Sequence, residues 1–214
     1  MKFTEIGYLK WVRERVKRGV GYPLLLSGIR DISRIELEKL GFSLKDIETK
    51  GGHNDFGGLV ELKETIARRY RVSPANVTLA AGASMAIFTV SSALLNPGDE
   101  VIIEYPCYEP ILRVPEALGC RIKRLPRRFS DGFQPDLAEL KRLLTKRVKL
   151  IYLTNLHNPS GVQIAPEVIH KISRLARQSG AHLVSNEIYL QYFGEGFPFH
   201  RERFHGFLGG SVAF

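Results

Sequence analysis

The sequence predicts an α/β fold, a mostly parallel sheet with helices on both faces. Two observations carry this expectation. From Val77 onward, short apolar runs such as "EVIIEY" and "VKLIYL" alternate with longer segments of helical period. Turn chemistry separates them, with "NPGD", Gly119 and Gly180 at the joins. Strand, helix, strand in this order implies right-handed crossovers between parallel strands. In such sheets ligands sit beyond the carboxyl ends of the strands.

The elements follow in order. Ile6, Leu9, Val12 and Val16 form one stripe of a helix over Glu5–Arg18, and Tyr22–Ser27 reads as extended. Ser33 and Glu36 make a capping box for a short helix over Ser33–Leu40, ended by Gly41. A further helix over Leu59–Tyr70 is entered from the turn "GGHNDFGG". Then come "VTLA" as a strand and "SMAIFTVSSALL" as a helix, "EVIIEY" as a strand and "YEPILRVPEAL" as a helix despite Pro115. "RIKRL" and "VKLIYL" are strands on either side of the helix "PDLAELKRLL". "PEVIHKISRLARQSG" has Pro in its first turn and Gly after its end, and it leads into the strand "HLVSN".

The bulk numbers narrow the function classes. A chain of 214 residues makes one good-sized domain, or a domain with a short arm. Its 44% hydrophobic and 25% charged residues are ordinary for a soluble protein, and no apolar run is long enough to cross a membrane. The opening "MKFTEIGYLKWVRERVKRG" is charged throughout and is no signal peptide, so a cytoplasmic protein is expected. Cys107 and Cys120, without partners at metal-ligand spacing, are expected to be reduced, buried and structural. The net charge of +9 raises nucleic acid as a partner, but the basic residues are scattered and no recognition element is present. Anionic small molecules suit the same charge.

The loops after the strands hold the candidate site. In "AAGAS" (80–84) small residues let a backbone approach closely and the next helix offers free N–H groups; tight packing explains the same residues. "YPCYEP" places Tyr108 at a helix start, where it can stack on a planar ring or fill a core. "TNLHNPSG" is a good turn that also delivers the amides of Asn155 and Asn158, with His157 a local hydrogen-bonding residue rather than a metal ligand. "SNEIY" brings Asn186 and Tyr189. Singly each loop is unremarkable in chemistry. Together they suit a planar, hydroxylated, phosphorylated heteroaromatic ring.

From about Gly57 to Tyr192 the chain resembles the large domain of class I/II pyridoxal-phosphate aminotransferases, fold type I. The matching text is "GGLVELKETIARRY", "VTLAAGASMAIF", "LLNPGDEVIIEYPCYEP", "NLHNPSGV" and "LVSNEIY", in family order and spacing. The resemblance implies an arm and helices over 1–50, a cofactor-binding portion over 51–192 and a divergent tail over 193–214. It implies that Ala83 and Ser84 hold the cofactor phosphate, that Tyr108 stacks on the pyridine, and that Asn158 and Tyr189 bond its phenolic oxygen. Asn186 falls where the family pairs an aspartate with the pyridine nitrogen, and His53 where many members carry a tyrosine that reaches the neighbouring subunit's phosphate. The implied activity is transfer of an amino group between an amino acid and a 2-oxo acid, in a dimer.

Two departures qualify that activity. A charge pair at ~3 Å and an effective dielectric of ~20 is worth about 5 kcal/mol, or roughly 4 pKa units of bias toward the pyridinium. Asn186 retains a hydrogen bond but not that charge. The second departure is larger: the family's Schiff-base lysine lies beyond this strand, and no lysine follows Lys171. The family's small C-terminal domain is also absent from the text. The expectation is therefore a truncated family member, inactive or impaired by itself. The alternative is a non-catalytic cofactor or amino-acid binding module that acts with a partner.

Overall fold

The computed structural model describes residues 3–16, 31–43, 57–190 and 211–213. The chain forms α1 (Gly7–Val16), α2 (Arg34–Lys39), α3 (Val60–Tyr70), α4 (Gly82–Leu94), β1 (Glu100–Tyr105) and α5 (Glu109–Ala117). It continues through β2 (Arg121–Pro126), α6 (Leu137–Leu143), β3 (Val148–Thr154), α7 (Pro166–Ser179), β4 (His182–Asn186) and β5 (Ser211–Ala213). The five strands lie in the order β2-β1-β3-β4-β5, and every ladder is parallel.

Alternation along the strands splits the core into two layers. Ile102, Ile151, Leu153 and Leu183 point to one face and pack with Leu140 of α6 and Ile169, Ile172 and Ala176 of α7. Val101, Ile103, Leu150, Tyr152 and Val184 point to the other and meet Ile87 of α4 and Ile111, Leu112 and Val114 of α5. Both faces are thus covered, which is why the strands read as unbroken apolar runs. Each fully buried Ile or Leu contributes about 1.5–3 kcal/mol relative to exposure.

Local chemistry sets the ends of the elements. Ser33 and Glu36 form the capping box, with the Ser33 N–H donating to the Glu36 carboxylate at 2.9 Å. Asp136 caps α6 by accepting from the Ala138 and Glu139 N–H groups at 2.8 and 3.2 Å. α7 starts on Pro166 and stops at Gly180, whose φ of 76° is left-handed. At the sheet edge, β2 exposes Arg121 and Arg124, charges that discourage pairing with another chain.

Three expectations change. Residues 77–80 ("VTLA") are extended at Val77 (φ −113°, ψ 125°) but form no strand, because no strand lies beside them among the described residues. Cys107 and Cys120 are free, as expected, but only half-buried. The tail supplies β5, which sequence pattern did not suggest, since three residues are too few to show a period. Tyr22–Ser27 and most of the "GGHNDFGG" turn lie outside the described residues. No helix among the described residues is long and apolar enough to cross a membrane.

Candidate cofactor site

The sheet gathers the candidate residues at the carboxyl ends of β1, β3 and β4 and at the start of α4. α4 begins on Gly82 after an apolar N-cap, Ala81, so no side chain caps its first N–H groups. Gly82 has φ +81°, and a Cβ built there would meet open space. The helix start therefore presents uncapped donors and positive dipole to a free volume, as an anion cradle requires. Ser84 Oγ lies 3.5 Å from the Tyr108 hydroxyl, so the cradle and the candidate stacking ring adjoin. Tyr108 is the N-cap residue of α5 and stands half-buried.

Asn158 and Asn186 are placed by backbone bonds. The Asn158 N–H donates to Thr154 Oγ1 at 2.9 Å. Asn186 pairs in register with Thr154, and its carbonyl accepts from the Asn155 N–H at 2.7 Å. Asn155 Oδ1 in turn accepts from the Ile164 N–H at 2.9 Å, which fixes the far side of the same loop. Tyr189 follows in the turn after β4, half-buried. His53 lies outside the described residues. Ala83, Ser84, Tyr108, Asn158, Asn186 and Tyr189 thus all occupy loops or element ends on the carboxyl side of the sheet.

His157 is locked into the loop. Its Nε2 lies 2.9 Å from the Pro106 carbonyl and its Nδ1 2.6 Å from Ser160 Oγ. A carbonyl only accepts, so Nε2 carries the proton and Nδ1 accepts from the Ser160 hydroxyl. Burial, then the nearby Arg127 charge, pushes its pKa down to about 4. The ring is a neutral brace between the β1 and β3 loops.

Beneath these loops is a buried charge network that sequence reading missed. Glu104 of β1 and Arg127, just past β2, are both fully buried and ion-paired. Glu104 Oε1 accepts from the Thr154 N–H at 2.6 Å and also from the Thr154 hydroxyl. Arg127 donates through Nε to the Phe133 carbonyl, and its N–H donates to the Tyr105 carbonyl at 2.7 Å. Burial pushes the Glu104 carboxyl up to about 7, against the opposing pull of Arg127 and the Thr154 donors. The network ties the ends of three strands together and sets Thr154, which holds Asn158. Its one signal in the sequence is a glutamate inside the apolar run "EVIIEY".

A second link was also missed. The N–H groups of Gly7 and Tyr8, at the start of α1, donate to the Glu109 carboxylate at 3.4 and 3.0 Å. Arg113 pairs with the same carboxylate at 2.9 Å, and these donors offset burial to hold its pKa below the ordinary value. Phe3 meets Phe88 of α4 at 6.2 Å between ring centroids. The N-terminal helix is thereby docked beside Tyr108.

The residues present fit a phosphorylated pyridine: open space at Gly82, uncapped donors on α4, an adjoining aromatic, and side-chain amides on two neighbouring strand ends. Comparison with known proteins agrees with that architecture. The family model for aminotransferase class I and II matches residues 29–208. The chain is 31% identical over 192 residues to the aspartate/prephenate aminotransferase of Thermus thermophilus, covering 85% of this chain and 49% of that protein. It is 32% identical over 148 residues to an arginine–pyruvate transaminase of Pseudomonas aeruginosa, covering 66% and 38%. Among solved structures, a PLP-dependent aminotransferase from Streptococcus suis superposes with a TM-score of 0.80 at 26% identity, covering 87% of this chain and 52% of that one. The chain spans about half the length of the curated relatives it matches. With more than half of its residues matched by the family model and the fold type I sheet in place, the chain belongs to the class I and II aminotransferases.

Proposed function

We propose that this chain supplies the cofactor-holding part of a pyridoxal-phosphate aminotransferase site. Residues 51–192 form the binding portion, residues 1–50 an arm, and residues 193–214 a divergent tail. Ala83 and Ser84 hold the phosphate on the α4 N-terminus, where the dipole and N–H groups favour a dianion. Tyr108 stacks on the ring and fixes its plane. Asn158 and Tyr189 hydrogen-bond the phenolic oxygen, Asn186 meets the ring nitrogen, and His53 reaches the phosphate held by a second copy in a cytoplasmic homodimer. The cofactor, when bound, supplies the electron sink for amino-group transfer between an amino acid and a 2-oxo acid.

The 214 residues taken by themselves do not complete that reaction in this reading. No lysine follows Lys171, and Lys171 is exposed on α7, away from the strand ends. The observation that carries the proposal is the 3.5 Å approach of Ser84 to Tyr108, which sets an anion cradle beside an aromatic. Retention of Ala83, Ser84, Tyr108, Asn158 and Tyr189 also supports a second reading, a non-catalytic module that binds cofactor or amino acid and acts with a partner subunit.

The test is an absorbance titration of the purified chain with pyridoxal phosphate, followed by borohydride and intact mass. Saturable binding without a mass adduct is expected, with no transamination. A reduced adduct on one lysine, with turnover, would overturn the impaired reading. Absence of saturable binding would overturn the cofactor assignment.

A further inference from the structure

Asn186 is only 4% exposed, yet half of its amide is unused. Its Oδ1 accepts from the Ile188 N–H at 3.2 Å, a turn closed by the residue's own side chain. A backbone N–H can only donate, so the atom facing it is the oxygen, and Nδ2 faces the other way. Nδ2 makes no hydrogen bond among the described residues and is not one of their buried atoms left without a partner, so its free side opens to solvent. A donor that opens to solvent is available to an acceptor on a bound ligand.

We propose that Asn186 presents a hydrogen-bond donor to the ring nitrogen of the bound ligand and holds that nitrogen unprotonated. This rests on the cofactor reading given above. An aspartate in the same conformation would use one oxygen for the Ile188 turn and offer the other to a pyridinium proton. The amide has the same shape with the second atom reversed in polarity. Asn186 therefore does more than omit a charge: its N–H occupies the place the pyridinium proton would take. Of the acids nearby in the chain, Glu104 is engaged by Arg127 and Thr154, and Glu187 accepts from Ser185 Oγ through Oε1 at 3.0 Å. The ligand class selected is a neutral azine bearing a phosphate, and N-alkylated pyridinium rings are rejected.

The experiment uses the 214-residue chain, with pyridoxal phosphate labelled with ¹⁵N in the ring, at neutral pH. The bound ring nitrogen is expected at the chemical shift of an unprotonated pyridine, and in Asn186→Asp at that of a pyridinium. N-methylated pyridoxal phosphate is expected to bind the unsubstituted chain about tenfold or more weaker than the parent. Asn186→Asp narrows that gap, although its side chain leaves no more room for the methyl group. A pyridinium shift in the unsubstituted chain, or equal affinity for the two ligands, overturns the inference and leaves the cofactor reading standing. Failure of the unsubstituted chain to bind either ligand saturably overturns both. The shift measured on the unsubstituted chain decides the matter alone if Asn186→Asp does not fold.

Discussion

Thr154 shows how one hydroxyl couples the buried network to the site. It donates to Glu104 and accepts from the Asn158 N–H at 2.9 Å. Thr154→Val keeps the shape but leaves both partners short of a bond, at roughly 1–3 kcal/mol. Pyridoxal phosphate affinity is expected to fall about tenfold, with Thr154→Ser close to the unsubstituted chain; equal affinities in all three would remove Thr154 from the site's support. His157 gives the pH signature. Its folded pKa, about 4, lies below the ordinary 6.5, so the unfolded state binds more protons between those values. The stability it contributes is full above pH 6.5 and is lost as pH falls through 4, up to about 3 kcal/mol in all. Urea unfolding from pH 4 to 7 should show that slope, and His157→Asn should flatten it.

At the scale of the element, the approach to α4 depends on close packing across a glycine. A Cβ added at Gly58 would lie 2.6 Å from Leu79 Cδ1, and Gly58 has φ +90°. Gly58→Ala meets both a clash and a disfavoured backbone, and it is expected to lower unfolding stability by about 2 kcal/mol or more. Thermal melts of the variant check this; an unchanged midpoint would mean that Leu79 yields freely. The short helices need their caps for the same reason, since an isolated helix of ten residues is marginal in water. α1, with no buried residue, is held instead through Glu109 and Phe88.

At the scale of the molecule, apolar side chains remain uncovered on α1, α3 and α4. Trp11, Leu62 and Met85 are 46%, 45% and 48% exposed. Exposed apolar area of this kind favours association. Sedimentation is expected to show self-association that grows with concentration, and a monodisperse monomer at high concentration would refute it.

The sequence by itself determined the alternation of strand and helix, the two-layer core and the helix stops, because period, turn chemistry and capping are local. Six of the seven cofactor-site residues proposed from motifs fall on the carboxyl side of the sheet for the same reason: each follows its own strand or starts its own helix. What only the tertiary structure decided are the relations between distant residues. Glu104 meets Arg127 and Thr154 across three strands, and Glu109 receives the start of α1 from a hundred residues away. The segment 77–80 reads as a strand because its side chains have the right propensity, but a strand exists only where a second backbone accepts its ladder bonds. The polarity of Asn186 belongs to the same class. The sequence names the amide, and the Ile188 N–H decides which of its two atoms closes the turn.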